Sequence, residues 1–488
     1  MSAQRAADWT LRRRLPALSS PRVSVGFDGV ATSALAVLAG CVIGACTVMS
    51  PQLGAAVALV GAVSLAYLAS PSLGLLSLWA LWLVAPELRR VFGLFGSYVS
   101  IDPLSAAPFV ATAAIAGIQV ARSRLDAETK RVLGLALLGL AFGIPVGASN
   151  PAAMMYALIA YGGGVLAYVI GRNEQAESFE ALSLRKILVV AAPLLAAYGI
   201  SQYFFPLTHW DHRWLDSVDF TSIGAPETGK IRVFSTLNAP GTLAPILALA
   251  LLCYLAINRV RIVVLISTVL ALVAFALTYA RGTWVAFAVA AVVLMILAPT
   301  RSGRAIFALC GVLVLATMAA GSSTPTTAAF SHRLETFGSL GSDTSANART
   351  SLPLQLVPQA ITRPLGAGLG SAGEATKLGT GGPLTNPDNG YLSMLYQLGP
   401  AGALLFFAAA FTPLAAITRR VLVHGARDRQ SVVLFSMCVF TVVLLIGGDL
   451  FYGVTGVILW YILGRTMAVS RGRRQHAEAS QATPLEHI

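Results

Sequence analysis

Three positions in this 488-residue chain carry residue types from which a site for a charged substrate is built. Arg281 lies in Thr278-Tyr279-Ala280-Arg281-Gly282-Thr283-Trp284, where two apolar runs meet with almost no loop. It is the only charged residue between Arg261 and Arg301. A cation at that depth is costly unless it snorkels to the interface or pairs with an anion. Arg232 lies in Lys230-Ile231-Arg232-Val233-Phe234-Ser235-Thr236-Leu237-Asn238-Ala239-Pro240-Gly241, ahead of another apolar run. Guanidinium groups grip phosphate oxygens through paired N–H donors, so two of them at one rim suit a lipid diphosphate. A solvated loop arginine explains Arg232 equally well.

The third position is Asp388 in Asn386-Pro387-Asp388-Asn389-Gly390-Tyr391, which opens an apolar run. It reads first as the cap of that helix. A carboxylate there can also act as a general base toward a sugar hydroxyl. Weaker signals surround these three. His209, Trp210, His212 and Trp214 read as an interfacial aromatic belt that could also stack on sugars. Asp449 reads as a solvated turn residue. The run Gly366-Ala367-Gly368-Leu369-Gly370-Ser371 permits close backbone approach and positive φ. It follows no strand, so it is no dinucleotide site. No HExxH, P-loop or GxSxG pattern is present, and the sequence calls for no metal and no cofactor.

These residues need elements to hold them, and the composition says which kind. The chain is 56% hydrophobic and 11% charged; a soluble protein carries about 25% charged residues. So little charge cannot cover a water-facing surface, and the chain is expected to be an all-α polytopic membrane protein. Fourteen apolar runs begin near Val30, Leu53, Leu73, Leu104, Val132, Ala152, Lys186, Ala239, Ile262, Thr283, Ala305, Tyr391, Val432 and Gly453. The run at Leu73 is the weakest, broken by Pro86. The formal net charge of +13 collects in short clusters between runs, which argues for the positive-inside rule and against a nucleic-acid partner. With the basic tail 1–29 in the cytoplasm, alternation puts the short basic loops and the tail 470–488 on the same side.

The opposite side then holds loops 87–102 and 206–238, the link at Arg281, and one large loop over 321–390. Spans one to eleven occupy 30–320, and spans twelve to fourteen occupy 391–469. Within the large loop, residues 351–362 fit a short surface helix. Leu38-Ala39-Gly40-Cys41 looks like a lipoprotein cleavage site, but the apolar run continues to Met49 and reads as a spanning helix. All five cysteines lie in apolar stretches and read as small packing residues.

The residues in order resemble the superfamily of O-antigen ligases and Wzy-type polysaccharide polymerases. The ligases carry His, then Asn, Ser or Gln, nine residues, and Gly-x-x-Gly. Here Asp388-Asn389 is followed by the nine residues Gly390 to Leu398 and then Gly399-Pro400-Ala401-Gly402. Only the first residue departs. Pro364 to Gly370 is similar to the glycine-rich stretch ahead of that motif. Tyr279 to Trp284 and Arg232 with Asn238 to Gly241 resemble the family's two arginine segments.

The resemblance implies a GT-C-like bundle and metal-independent glycosyl transfer from an undecaprenyl-diphosphate-linked glycan at the outer face of the bacterial inner membrane. Arg232 and Arg281 would hold the diphosphate and Asp388 would take the acceptor proton. Lys230, Asn238, Tyr279, Gly368, Gly370, Asn389 and Tyr391 would contact substrate. Loss of the histidine favours a polymerase over a ligase. A chain-length regulator and a flippase are the partners such a polymerase implies. A flippase or a silent scaffold are the readings from other classes. A flippase needs polar residues deep in its spans, which are scarce here, and a scaffold predicts that Arg281 is replaceable.

Overall fold

Helix starts follow from a repeated local signal, a capping side chain followed by proline. Ser50, Asp102 and Asn150 each accept a backbone N–H from three residues on, with proline next in sequence. The computed structural model describes residues 50–95, 102–218, 223–257, 261–319, 355–379, 384–385, 388–425 and 428–481. The tail 1–29, the expected span at Val30, Leu38 to Cys41, and residues 320–354 lie outside the described residues.

The long helices are α1 (Pro51–Ala69), α2 (Pro71–Phe92), α3 (Pro103–Arg122), α4 (Ala127–Phe142), α5 (Pro151–Asn173) and α6 (Ser183–Phe204). After the short α7 (His209–Asp216) come α8 (Pro240–Leu255), α9 (Ile262–Leu277), α10 (Arg281–Leu297) and α11 (Arg301–Ala319). The C-terminal part holds α12 (Gly390–His424), α13 (Arg429–Leu444) and α14 (Gly453–Gln481). Every expected run that falls on described residues starts close to one of these helices, Val132 against Ala127 being the widest difference. Among the described residues seven helical segments are long and apolar enough to cross a membrane, and α8, α9, α10 and α13 are shorter apolar helices. Over those residues the chain is built of helices without strands, as an all-α multi-pass membrane protein is. Residues 355–362 form the short helix expected there.

Pro86 does not end the third expected run. Helix α2 continues through it to Phe92, so Arg89 and Arg90 belong to the helix and not to a loop starting at residue 87. A mid-helix proline leaves backbone acceptors without their usual donors. The carbonyl opposite Pro86 is that of Trp82, and at the next residue along the Thr236 hydroxyl donates to the Leu83 carbonyl at 2.6 Å.

Polar groups gather at two ends of the bundle. At one end Arg172 pairs with Asp126 at 2.7 Å and Arg420 with Asp428 at 2.5 Å. Arg465 donates to the Glu174 carbonyl at 2.6 Å. Burial pushes the Asp126 carboxyl up, but the Thr129 N–H and Arg172 outweigh it and bring it down to about 2. This is the end that charge assigns to the cytoplasm. At the other end lie all the candidate site residues. The core between is apolar, and Cys253 and Cys438 pack in it as small buried residues. Helices α5 and α14 cross closely at Gly171, where a Cβ would stand 2.0 Å from the Tyr461 carbonyl oxygen.

Candidate active site

The α9–α10 connection is only Thr278, Tyr279 and Ala280. So short a link turns sharply, and Tyr279 takes φ +50°. Arg232 braces it: its Nε donates to the Thr278 carbonyl at 2.9 Å and its Nη2 to the Tyr279 carbonyl at 3.4 Å. The adjoining backbone joins in, Val233 N–H donating to the Leu277 carbonyl at 3.2 Å. The two arginine segments, 46 or 47 residues apart in the chain at these contacts, therefore lie side by side. Both Arg232 and Arg281 are half-buried, and Arg281 is the first residue of α10.

The flanking candidates divide. Lys230 is exposed and paired with Glu227 at 2.6 Å. Tyr279 turns inward and is 8% exposed, its hydroxyl 3.4 Å from that of Tyr203. Asn238 sits in the left-handed region at φ +60°, and its Oδ1 is buried without a partner among the described residues. It lines a crevice of about 210 Å³ with Arg89, Tyr156 and Tyr452.

Beneath this segment is a clamp that the sequence reading missed. Arg90 is 1% exposed. Its guanidinium bonds Asp211 at 2.5 Å, Glu87, and the Ser235 carbonyl at 2.7 Å. It lies 5.1 Å from the Trp214 ring centroid and 5.0 Å from that of Phe234. Gln202 completes the grip, its Oε1 accepting the Ser235 N–H at 2.7 Å and its Nε2 donating to Asp211 at 2.9 Å. Ser235 is thereby held at φ +52°, three residues from Arg232. Trp214 is fully buried and Trp210 donates to Glu87, so they are parts of this clamp and not an interfacial belt. His209 and His212 are exposed. The signal in the sequence was the charged group Glu87, Arg89 and Arg90 at the end of an apolar run.

Asp388 stands exposed at the start of α12. It is not the cap. Asn389 is, its side chain accepting the Leu392 N–H at 3.0 Å. Asn386 and Pro387 lie outside the described residues. Gly390 donates its N–H to the Leu445 carbonyl at 2.8 Å, which ties this helix start to the α13–α14 turn. Tyr391 points into the bundle and donates to the Val442 carbonyl at 3.0 Å.

The turn holds Asp449, which is half-buried and held by hydrogen bonds, not a freely solvated turn residue. Its carboxylate accepts from Ser393 Oγ at 2.7 Å, Tyr161 Oη at 2.9 Å and the Phe451 N–H at 3.0 Å. Burial pushes its carboxyl up, against those three hydrogen bonds. Gln397 closes the ring by donating to Tyr161 Oη at 3.0 Å and to Ser393 Oγ at 3.2 Å. Its Oε1 accepts the Gly370 N–H at 3.0 Å, and its backbone carbonyl accepts the Gly368 N–H at 3.2 Å.

The glycine run is thus docked on the bundle. Gly368 has φ +100°, and a Cβ there would meet Gly147 N at 2.6 Å; one on Gly370 would meet the Ala153 carbonyl at 2.6 Å. Gly399 breaks α12 with φ +68°, and its Cβ would stand 2.3 Å from the Pro364 carbonyl oxygen. Gly399 of the motif therefore seats the glycine-rich segment against α12, while Gly402 lets α12 approach α4 at Gly139 and Phe142.

Fold and site together define a multi-pass membrane protein whose candidate site residues gather at one end of a helical bundle. Residues 266–407 match the family model described as O-antigen ligase, and that match supports the resemblance to the superfamily of O-antigen ligases and Wzy-type polymerases. Those enzymes are membrane glycosyltransferase-like ligases and polymerases. The segment includes Arg281, the glycine run, Asp388-Asn389 and Gly399 to Gly402, while Arg232 precedes it. No curated protein matches the chain.

Proposed function

We propose that the chain is a polymerase that joins undecaprenyl-diphosphate-linked oligosaccharide repeat units into a polysaccharide at the outer face of a bacterial inner membrane. The observation that carries this reading is the bracing of the Tyr279 link by Arg232, which lays two arginine segments side by side at one end of the bundle. Two guanidinium groups there hold a diphosphate and stabilise the charge that grows as it leaves. The acceptor hydroxyl oxygen attacks the anomeric carbon. The bond from that carbon to the diphosphate oxygen breaks, and undecaprenyl diphosphate departs with the electron pair. Asp388 takes the hydroxyl proton.

The family description favours a second reading, a ligase that moves the glycan to a different acceptor. Deletion of the gene separates the two. Accumulated single repeat units on lipid indicate the polymerase, and accumulated long lipid-linked chains indicate the ligase. Arg281→Ala should abolish polymer while the protein stays in the membrane. Long chains of normal length in that variant would end the diphosphate role.

A further inference from the structure

A second opening on the same face is used by nothing above. A cleft of about 300 Å³ lies between the glycine run and the turn that joins α4 to α5. Four polar groups on its wall lack a protein partner among the described residues. They are the guanidinium of the exposed Arg363, the Asn150 amide Nδ2, the Tyr396 hydroxyl and Ser371 Oγ, the one of the four that is a fully buried atom. The Asn150 oxygen is occupied, accepting the Ala153 N–H at 3.2 Å, so only its amide donors are available. Polar groups that converge on a pocket without satisfying one another mark where a ligand's own donors and acceptors belong.

Their chemistry narrows the ligand. Among the described residues the wall has one cation and no carboxylate, which disfavours a polycationic ligand. Amide donors, two hydroxyls and the backbone of the glycine run suit a polyhydroxylated ligand, and Arg363 adds a contact for a ring oxygen or an acidic sugar. The wall has too few apolar groups for a prenyl chain. Position adds the link to the reaction. Tyr396 lies six residues into α12 from Gly390, about 9 Å along the axis. The same helix start carries Asp388. Ala367 donates its N–H to the Tyr396 carbonyl at 2.7 Å, so the cleft wall and the helix are one frame.

We propose that this cleft is an acceptor-glycan subsite that holds sugar residues of the growing chain behind the attacking hydroxyl. The assignment rests on the glycosyl-transfer reading above. Its test uses the purified full-length protein in detergent and two probes, oligosaccharide fragments of the host's own polymer and undecaprenyl diphosphate. Asn150→Asp keeps the oxygen that caps α5 and removes the amide donors; Arg363→Ala removes the cation. Each should weaken fragment binding about tenfold, the effect of one lost charged or oriented hydrogen bond. Both should leave undecaprenyl diphosphate binding unchanged, and Arg281→Ala should do the reverse. Fragments that bind both cleft variants as tightly as wild type would overturn the subsite. So would wild-type protein that binds the lipid diphosphate and no fragment, which leaves the donor reading standing. Binding of neither probe by wild type would remove both. Displacement of the fragments by an equal concentration of inorganic phosphate would make the cleft an anion site and refute the glycan assignment.

Discussion

Asp388 and Asn389 are adjacent, and the structure gives the helix cap to Asn389 alone, which leaves Asp388 for the proposed role as base. Asn389 caps α12, so removing it should destabilise without touching the chemistry directly. Asn389→Ala is expected to cost about 1 kcal/mol of stability, read as a lowered thermal midpoint in detergent with polymer still made. Asp388→Ala should leave that midpoint in place and abolish polymer. A variant at Asp388 that polymerises normally would retire it as the base. The spacing to Gly399 made Asp388 visible in the sequence. The choice of cap was not visible, because either of two neighbouring residues satisfies the same preference and only the backbone turn decides between them. Ser393 and Gln397 were hidden differently. They sit four residues apart among the nine spacer positions of the motif, and nothing local says that Ser393 bonds Asp449 in a turn 56 residues on, or that Gln397 bonds the Tyr161 hydroxyl 236 residues back.

At the scale of elements, apolar runs placed the helix starts within a few residues, and Pro86 shows where that reasoning fails. The sequence shows that a proline removes a donor; it cannot show that Thr236, 153 residues later, donates to Leu83 in the turn before it. The kink at Gly399 is the converse case, because the glycine itself announces it. Gly399 has positive φ and touches the Pro364 and Arg363 carbonyls. Gly399→Ala therefore strains the backbone by about 1–3 kcal/mol and also pushes the glycine run off α12. The expected result is a lower thermal midpoint together with faster proteolysis at the run. Alanine at Gly134, where a Cβ would meet nothing within 4 Å, should change neither. Equal effects at the two positions would mean that the kink does not seat the run.

For the whole molecule, function depends on which end of the bundle faces the cell exterior. Basic residues gather at one end, in the connections that hold Asp126, Arg172, Arg420 and Arg429, and the positive-inside rule puts that end in the cytoplasm. On that orientation the arginine link, the glycine run and Asp388 would face outward, where the proposed reaction needs its exported lipid-linked glycan. Two exposed side chains report the two ends: Lys230 beside the arginine segment and Glu128 beside Arg172. In a cysteine-free background, Lys230→Cys should react with a membrane-impermeant maleimide in intact spheroplasts. Glu128→Cys should react only after the membrane is opened. The reverse pattern would place Arg232 and Arg281 against the cytosolic leaflet. There they would meet the sugar carrier before its export, and polymerisation at the outer face would no longer be the reaction this site performs.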